Sequence, residues 1–232
     1  MIREPRRNTP LGADEKVPYG AVFGVPRRLA IGVAIGVAVG VAVAVVVVVV
    51  VVILGVDPGP TESSWVLWDG EHVKDSGQGS NEAVLDHIKG MRWASYPLAT
   101  AAYPMVIEKV ESFGMAVGAS VFETVFWAGR FAQAWDQLDG GTWYRISRRD
   151  VKMALCGSAR AKDANVRQAI IDRCGGVEGK AVAVGTKEHP GPLYGISNHK
   201  WSALALCIVW IDMNRGTWPG DDEWRNRGAL WI

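Results

Sequence analysis

Two carboxylates stand where a charge is costly. Asp57 closes the apolar run 52–56 and is followed by Pro58, Gly59 and Pro60. A charged group at the end of a buried strand costs several kcal/mol unless it is paired or holds a cation. A turn-forming Asp before proline is the simpler reading. Glu108 interrupts a second apolar run, PMVIEKV at 104–110. Strand alternation puts it among buried neighbours, or on an edge strand facing water. Taken together on neighbouring strands, the two supply what a hard divalent cation needs: oxygen ligands with room left for a phosphate. A third signal is cationic. Arg145, Arg148, Arg149, Lys152, Arg160 and Lys162 face only Asp150 within residues 145–162, a net +5 over 18 residues. Such a run is a solvated face or a set of phosphate contacts that position DNA without reading its sequence.

These residues need strands and helices to hold them. The run 52–56 stopped by Pro and Gly reads as a buried strand. Residues 64–68 and 71–75 around Asp69-Gly70 read as a hairpin. A modest helix follows at 82–91, then the strand carrying Glu108. Ser120 and Glu123 form a capping box opening a helix over 120–137, with Val121, Val125, Ala128, Ala132 and Trp135 as its apolar stripe. A third apolar strand at 143–146 leads into a helix at 147–156, stopped by Gly157. A helix at 163–174, a Gly/Pro-rich loop and a last helix at about 198–214 complete the pattern. That helix carries Trp201, Leu204, Ala205, Ile208 and Ile211 on its apolar side. A hairpin unit followed by alternating strands and helices predicts an α/β fold with a mixed sheet.

The 232 residues carry 25 basic and 24 acidic side chains, but unevenly. Residues 1–28 hold 6 basic and 3 acidic groups, and the remainder is net −2. A polycation is excluded, so any nucleic-acid affinity has to be local. Cys156, Cys174 and Cys207 are too few for a disulfide framework or a zinc site and are expected as reduced thiols in the cytoplasm. Residues 29–56 contain neither charge nor hydrogen-bonding side chain and decay into eight consecutive valines at 45–52. That length would span a membrane, with Arg27 and Arg28 holding the N-terminus inside. Yet the run leads directly into the first expected strand, which cannot be lipid-buried and central in a sheet at once. The expected organisation is a basic tail (1–28), an apolar low-complexity extension or anchor (29–51), a catalytic domain (52–214) and a Trp-rich tail (215–232).

In this order, ILGVDPGP with its hairpin, VIEKVESFGMAVGAS before a long helix, YRISRRDVKMALCGSARAKDANVRQAIIDRCG and NHKWSALALCIVW resemble the RuvC-type crossover (Holliday) junction endodeoxyribonucleases. These are nucleases of the ribonuclease H-like superfamily. The likeness spans residues 52–214, and PGPLYG before the last helix is closest to phage-type members. It implies a ribonuclease H-like mixed sheet flanked by helices. It implies a homodimer that nicks four-way or branched DNA during recombination and repair, by two-metal phosphodiester hydrolysis with Mg²⁺, or Mn²⁺ in its place. The helix beginning at Ser120 is the candidate dimer interface. By motif match Asp57 is the first metal ligand and Glu108 the second. His199 falls on a position that is Asp or His in the family. It ligates only when neutral, so activity would fall as pH drops through its pKa. Lys152 and Lys162 match lysines near the scissile phosphate. The remaining basic residues of 145–162 would contact the DNA backbone. Phe113 stands where the family carries a mobile loop that wedges into the junction centre.

One position departs from that pattern. Three residues after His199 the family has Asp, and this chain has Ser202, a poor Mg²⁺ ligand. Asp212, about three turns further along the same helix, is too distant to replace it. The departure keeps a second reading open, a weakened relative that binds branched DNA without cutting it. A ribonuclease H-like nuclease on another nucleic acid, such as an RNA–DNA hybrid, is a third. A membrane protein anchored through 29–51 is a fourth.

Overall fold

The structure is a computed structural model that describes residues 30–32, 46–48, 52–91, 104–112, 114, 116–138 and 142–214. Phe113, the Trp-rich tail and most of the N-terminal 51 residues lie outside these. Within the apolar extension, β1 (Ala30–Gly32) and β2 (Val46–Val48) pair antiparallel. Among the described residues no helix is long and apolar enough to cross a membrane.

The main sheet is built from β3 (Ile53–Asp57), β4 (Glu62–Trp68), β5 (Val73–Ser80), β6 (Pro104–Lys109) and β7 (Thr142–Ser147). Its order is β5-β4-β3-β6-β7. The first three strands form an antiparallel meander, and β6 and β7 join it in parallel. This is the mixed, helix-flanked α/β sheet that the ribonuclease H-like resemblance implied.

The meander closes where the Asp-Gly signal lay. Asp69 Oδ1 accepts the N–H groups of Glu71 and His72 at 2.8 and 2.6 Å. Gly70 takes φ 92°, which glycine enters without strain. The β5 strand runs to Ser80, five residues beyond the expected end, because backbone pairing rather than apolar alternation holds its polar stretch SGQGS.

Helices cover both faces. On one side α1 (Asn81–Gly90) and α2 (Ala119–Asp136) pack on Leu54, Val56, Leu67, Met105 and Ile107. On the other, α6 (Lys200–Asn214) packs on Ile53, Val66 and Val106, and α3 (Arg148–Cys156), α4 (Asp163–Gly175) and α5 (Lys180–Val184) add Val151, Ile170 and Ala183 to the same core. A strand with cores on both faces reads as an unbroken apolar run, as β3 does.

Two expectations for α2 need correction. The α2 helix opens at Ala119 after Gly118, with no side-chain cap, so the Ser120/Glu123 box does not form. In its stripe Val125 is exposed, while Trp127 and Phe131 turn inward instead. The larger aromatic rings bury more apolar surface against β6 and β7 than valine would. Short α5 falls in a stretch with too few residues to display a helical period. The predicted apolar side of α6 is buried throughout, but so are Ala203, Leu206, Cys207 and Val209. It lies between the sheet and the helices α3 and α4, so nearly its whole circumference is covered.

Candidate active site

Alternation along β3 decides where Asp57 points. Ile53 packs on the α6 side, and Leu54 and Val56 on the α1/α2 side. Asp57 shares the parity of Ile53 and therefore faces α6. On β6 the same count takes Val106 and Glu108 to the α6 side. The two strands pair in parallel, Leu54 with Met105 and Val56 with Ile107. One step further in that register sets Asp57 beside Glu108. Their carboxyls lie within hydrogen-bonding reach of each other.

The neighbourhood makes this contact expensive for two charges. Burial first, then the adjacent Glu108 carboxyl, push Asp57 from 3.8 up to about 8. Arg148 and the Ser202 hydroxyl, directed at Asp57, act in the opposite sense but do not prevail.

Two close approaches hold the pair in place. Beyond Asp57 the chain turns at Gly59, whose N–H donates to Ser63 Oγ at 3.2 Å. Ser63 Oγ donates to Asn81 Oδ1 at 2.6 Å, and Asn81 Nδ2 returns to the Gly59 carbonyl at 3.1 Å. Ser63 and Asn81 are buried, so this closed ring of hydrogen bonds fixes the end of β3. On the other side α6 lies directly on β3. A Cβ added to Gly55 would fall 2.1 Å from the Ala203 carbonyl oxygen and 2.7 Å from Cys207 Sγ. Only glycine permits that contact, and it carries Ser202 to Asp57.

A cleft of about 620 Å³ opens at this end of the sheet, lined by Glu108, Arg148, Lys152, Asp163, His199 and Ser202 among others. The basic segment divides around it. Arg148 Nη1 donates to Glu108 Oε2 at 3.3 Å, and Nη2 to Asp163 Oδ2 at 2.6 Å. Lys152 Nζ lies 3.4 Å from Asp163 Oδ1. Burial alone would raise the Asp163 carboxyl, but these two cations hold it below the usual carboxylate range. Arg149, Arg160 and Lys162 are exposed and do not line the cleft. Arg145 has the opposite parity to Ile146 on β7, so it faces the α2 side, 5.8 Å from the Trp143 ring centroid.

Of the expected site residues, Glu108, Lys152 and His199 line one cleft, and Asp57 reaches it through Glu108. Lys162 and Arg145 lie apart from it, and Phe113 is outside the described residues. His199 is exposed at the cleft wall, just after Asn198, which holds φ 48°. Among the described residues no three His, Cys, Asp or Glu side chains converge as a metal cluster. Sequence reasoning missed Asp163, which looked only like a helix start. Its signal was the i, i+4 pair Arg148 and Lys152, two like charges on one helix face whose repulsion a shared acceptor relieves. It also missed Ser63 and Asn81, for which no short motif exists.

No protein-family model matches the chain, and no curated protein matches it. Among solved structures, it is similar to a Thermus thermophilus RuvC structure, with 17% identity and a TM-score of 0.47 over 72% of this chain and 97% of that one. It is also similar to T. thermophilus RuvC in complex with a Holliday junction substrate, with 18% identity and a TM-score of 0.47 at the same coverage.

Proposed function

We propose that this cleft is the active site of a Mg²⁺-dependent endonuclease that nicks four-way or branched DNA. The observation that carries the reading is the convergence of Asp57 and Glu108 from two parallel strands, far apart in sequence, onto one partly buried point. Two carboxylates in that position require a proton or a cation between them. The donors suit a hard ion: two carboxylates, with the Ser202 hydroxyl beside Asp57 and His199 on the same cleft wall. Asp57 and Glu108 would hold it. When bound, Mg²⁺, or Mn²⁺ in its place, would supply the positive charge that polarises a phosphodiester.

The chain's own groups do the rest. The Gly59–Ser63–Asn81 ring and the packing of α6 keep the carboxylates from separating. Lys152 presents an ammonium to a phosphate entering the cleft. Exposed Arg149, Arg160 and Lys162 follow the DNA backbone outside it, a form of recognition suited to a substrate read by shape. Exposed Phe122, Val125 and Phe126 on α2 form an apolar face that a second copy would cover, giving a homodimer with two cuts per junction.

The test is nicking of a synthetic four-way junction in Mg²⁺, with linear duplex and RNA–DNA hybrid as controls. Wild type should cut the junction and spare the duplex. Asp57→Asn should lose at least about 100-fold, the cost of removing the charge that holds a catalytic ion. Equal cutting by the variant would remove Asp57 from the mechanism. One observation favours a second reading. Ser202 contributes a hydroxyl where a third carboxylate would strengthen ion binding. A chain that binds the junction tightly but never nicks it would support a binding module instead.

A further inference from the structure

Arg148 opens α3, a position from which a side chain could extend freely into water. It reaches instead across the cleft as a fork, and the two prongs are unequal. The contact to Asp163 is 2.6 Å, short even for a charge-assisted hydrogen bond. The contact to Glu108 is 3.3 Å, long for one. Lys152, one turn along the same helix, also reaches Asp163. The guanidinium is therefore anchored at its Asp163 end and loosely held at its Glu108 end.

Its position carries a second meaning. A smaller cleft of about 300 Å³ lies between the end of β6 and the first turns of α2. Glu108 and Arg148 line both clefts, and together they form the wall between them. A nucleic-acid strand passing from one cleft to the other must carry a phosphodiester over this pair.

We infer that Arg148 is a two-position residue. It neutralises Glu108 while the carboxylates hold no ion. Once a divalent cation takes Glu108, its Nη1 passes to a non-bridging phosphate oxygen, and Asp163 retains the guanidinium throughout. The inference rests on the endonuclease reading and assigns a further residue to that site. The electrostatics require the exchange. A guanidinium and a divalent cation repel on one carboxylate, whereas a phosphate oxyanion matches the guanidinium fork in charge and geometry. No bond is made or broken; one acceptor replaces another. Ser202 bears on the same balance: a neutral hydroxyl adds no charge, so one guanidinium offsets half the charge of the two carboxylates.

The test uses the full-length, DNA-free protein and Mn²⁺ as probe, followed by electron paramagnetic resonance. Arg148→Gln and Arg148→Met should bind Mn²⁺ about two- to five-fold tighter than wild type, the size of one partly exposed ion pair given back. At saturating Mn²⁺ both should nick the junction more slowly. A guanidinium that merely repelled the ion would give tighter binding without slower nicking at saturation. Variants that fold but bind Mn²⁺ no tighter, or that nick at the wild-type rate, would overturn the inference. Asp57→Asn separates the two levels: if it binds Mn²⁺ as wild type does, the endonuclease reading falls. If it loses Mn²⁺ while the Arg148 variants gain none, only the role of Arg148 falls. Should neither Arg148 variant fold, ¹⁵N spectra of the wild-type guanidinium decide. Its Arg148 signals should shift on adding Mg²⁺, and unchanged signals alongside Asp57-dependent binding would overturn the inference.

Discussion

The raised carboxyl of Asp57 ties its protonation to stability. Unfolded, the group titrates near 3.8; folded and free of ions, near 8. Between these values the folded chain binds more protons than the unfolded one, so the slope of stability with pH is negative. The stabilisation from this group is complete below about pH 4 and is lost as pH rises through about 8. In chelator, wild type should therefore melt lower at pH 8 than at pH 5.5. Asp57→Asn should flatten that difference and melt several degrees higher than wild type at pH 8. Thermal melts at the two pH values check this, and parallel profiles would refute it. Mg²⁺ added at pH 8 should raise the wild-type midpoint by mass action and leave the variant unmoved. Asp57 and Glu108 were both legible in the sequence, because a charge inside an apolar strand violates a simple pattern. Asp163 was not, because an acidic residue at a helix start breaks no rule. Arg148 was legible as a cation but not by its partners, which lie 40 and 15 residues away.

Among the elements, the closest fit is between β3 and α6. Gly55→Ala must push a Cβ into the Ala203 carbonyl and the Cys207 sulfur. Backbone cannot yield as a flexible side chain would, so the substitution should cost about 1–3 kcal/mol or more. Urea unfolding measures that loss. Nicking should fall as well, because displacing α6 moves Ser202 away from Asp57. An alanine variant of wild-type stability would show that the helix can slide without consequence. Sequence patterns located most of these elements, since apolar runs and Gly or Pro stops are local. They could not show that α6 is covered on nearly every side, because a mixture of Ala, Leu, Ile, Val and Trp also describes a one-sided helix. Nor could they reveal β5 beyond Asp75, where pairing with β4 alone makes the strand.

At the scale of the whole molecule, α2 leaves Phe122, Val125 and Phe126 at 64, 49 and 57% exposure. Apolar side chains in a row are costly to leave in water, and the proposed dimer would bury them. Phe122→Asp combined with Phe126→Asp should convert a dimer into a monomer in sedimentation velocity, while ion binding by each protomer survives. An unchanged sedimentation coefficient would overturn the proposed contact. The approach of Cys207 Sγ to the Ile53 carbonyl joins residues 154 apart along the chain. A ribosome therefore releases the whole sheet, Asp57 and Glu108 included, before the helix that seats against β3 has been made. Nascent or prematurely terminated products would display both acidic groups without the packing that brings them to bear on a substrate. The proposed site is thus completed only once synthesis has passed the chain's most deeply buried helix.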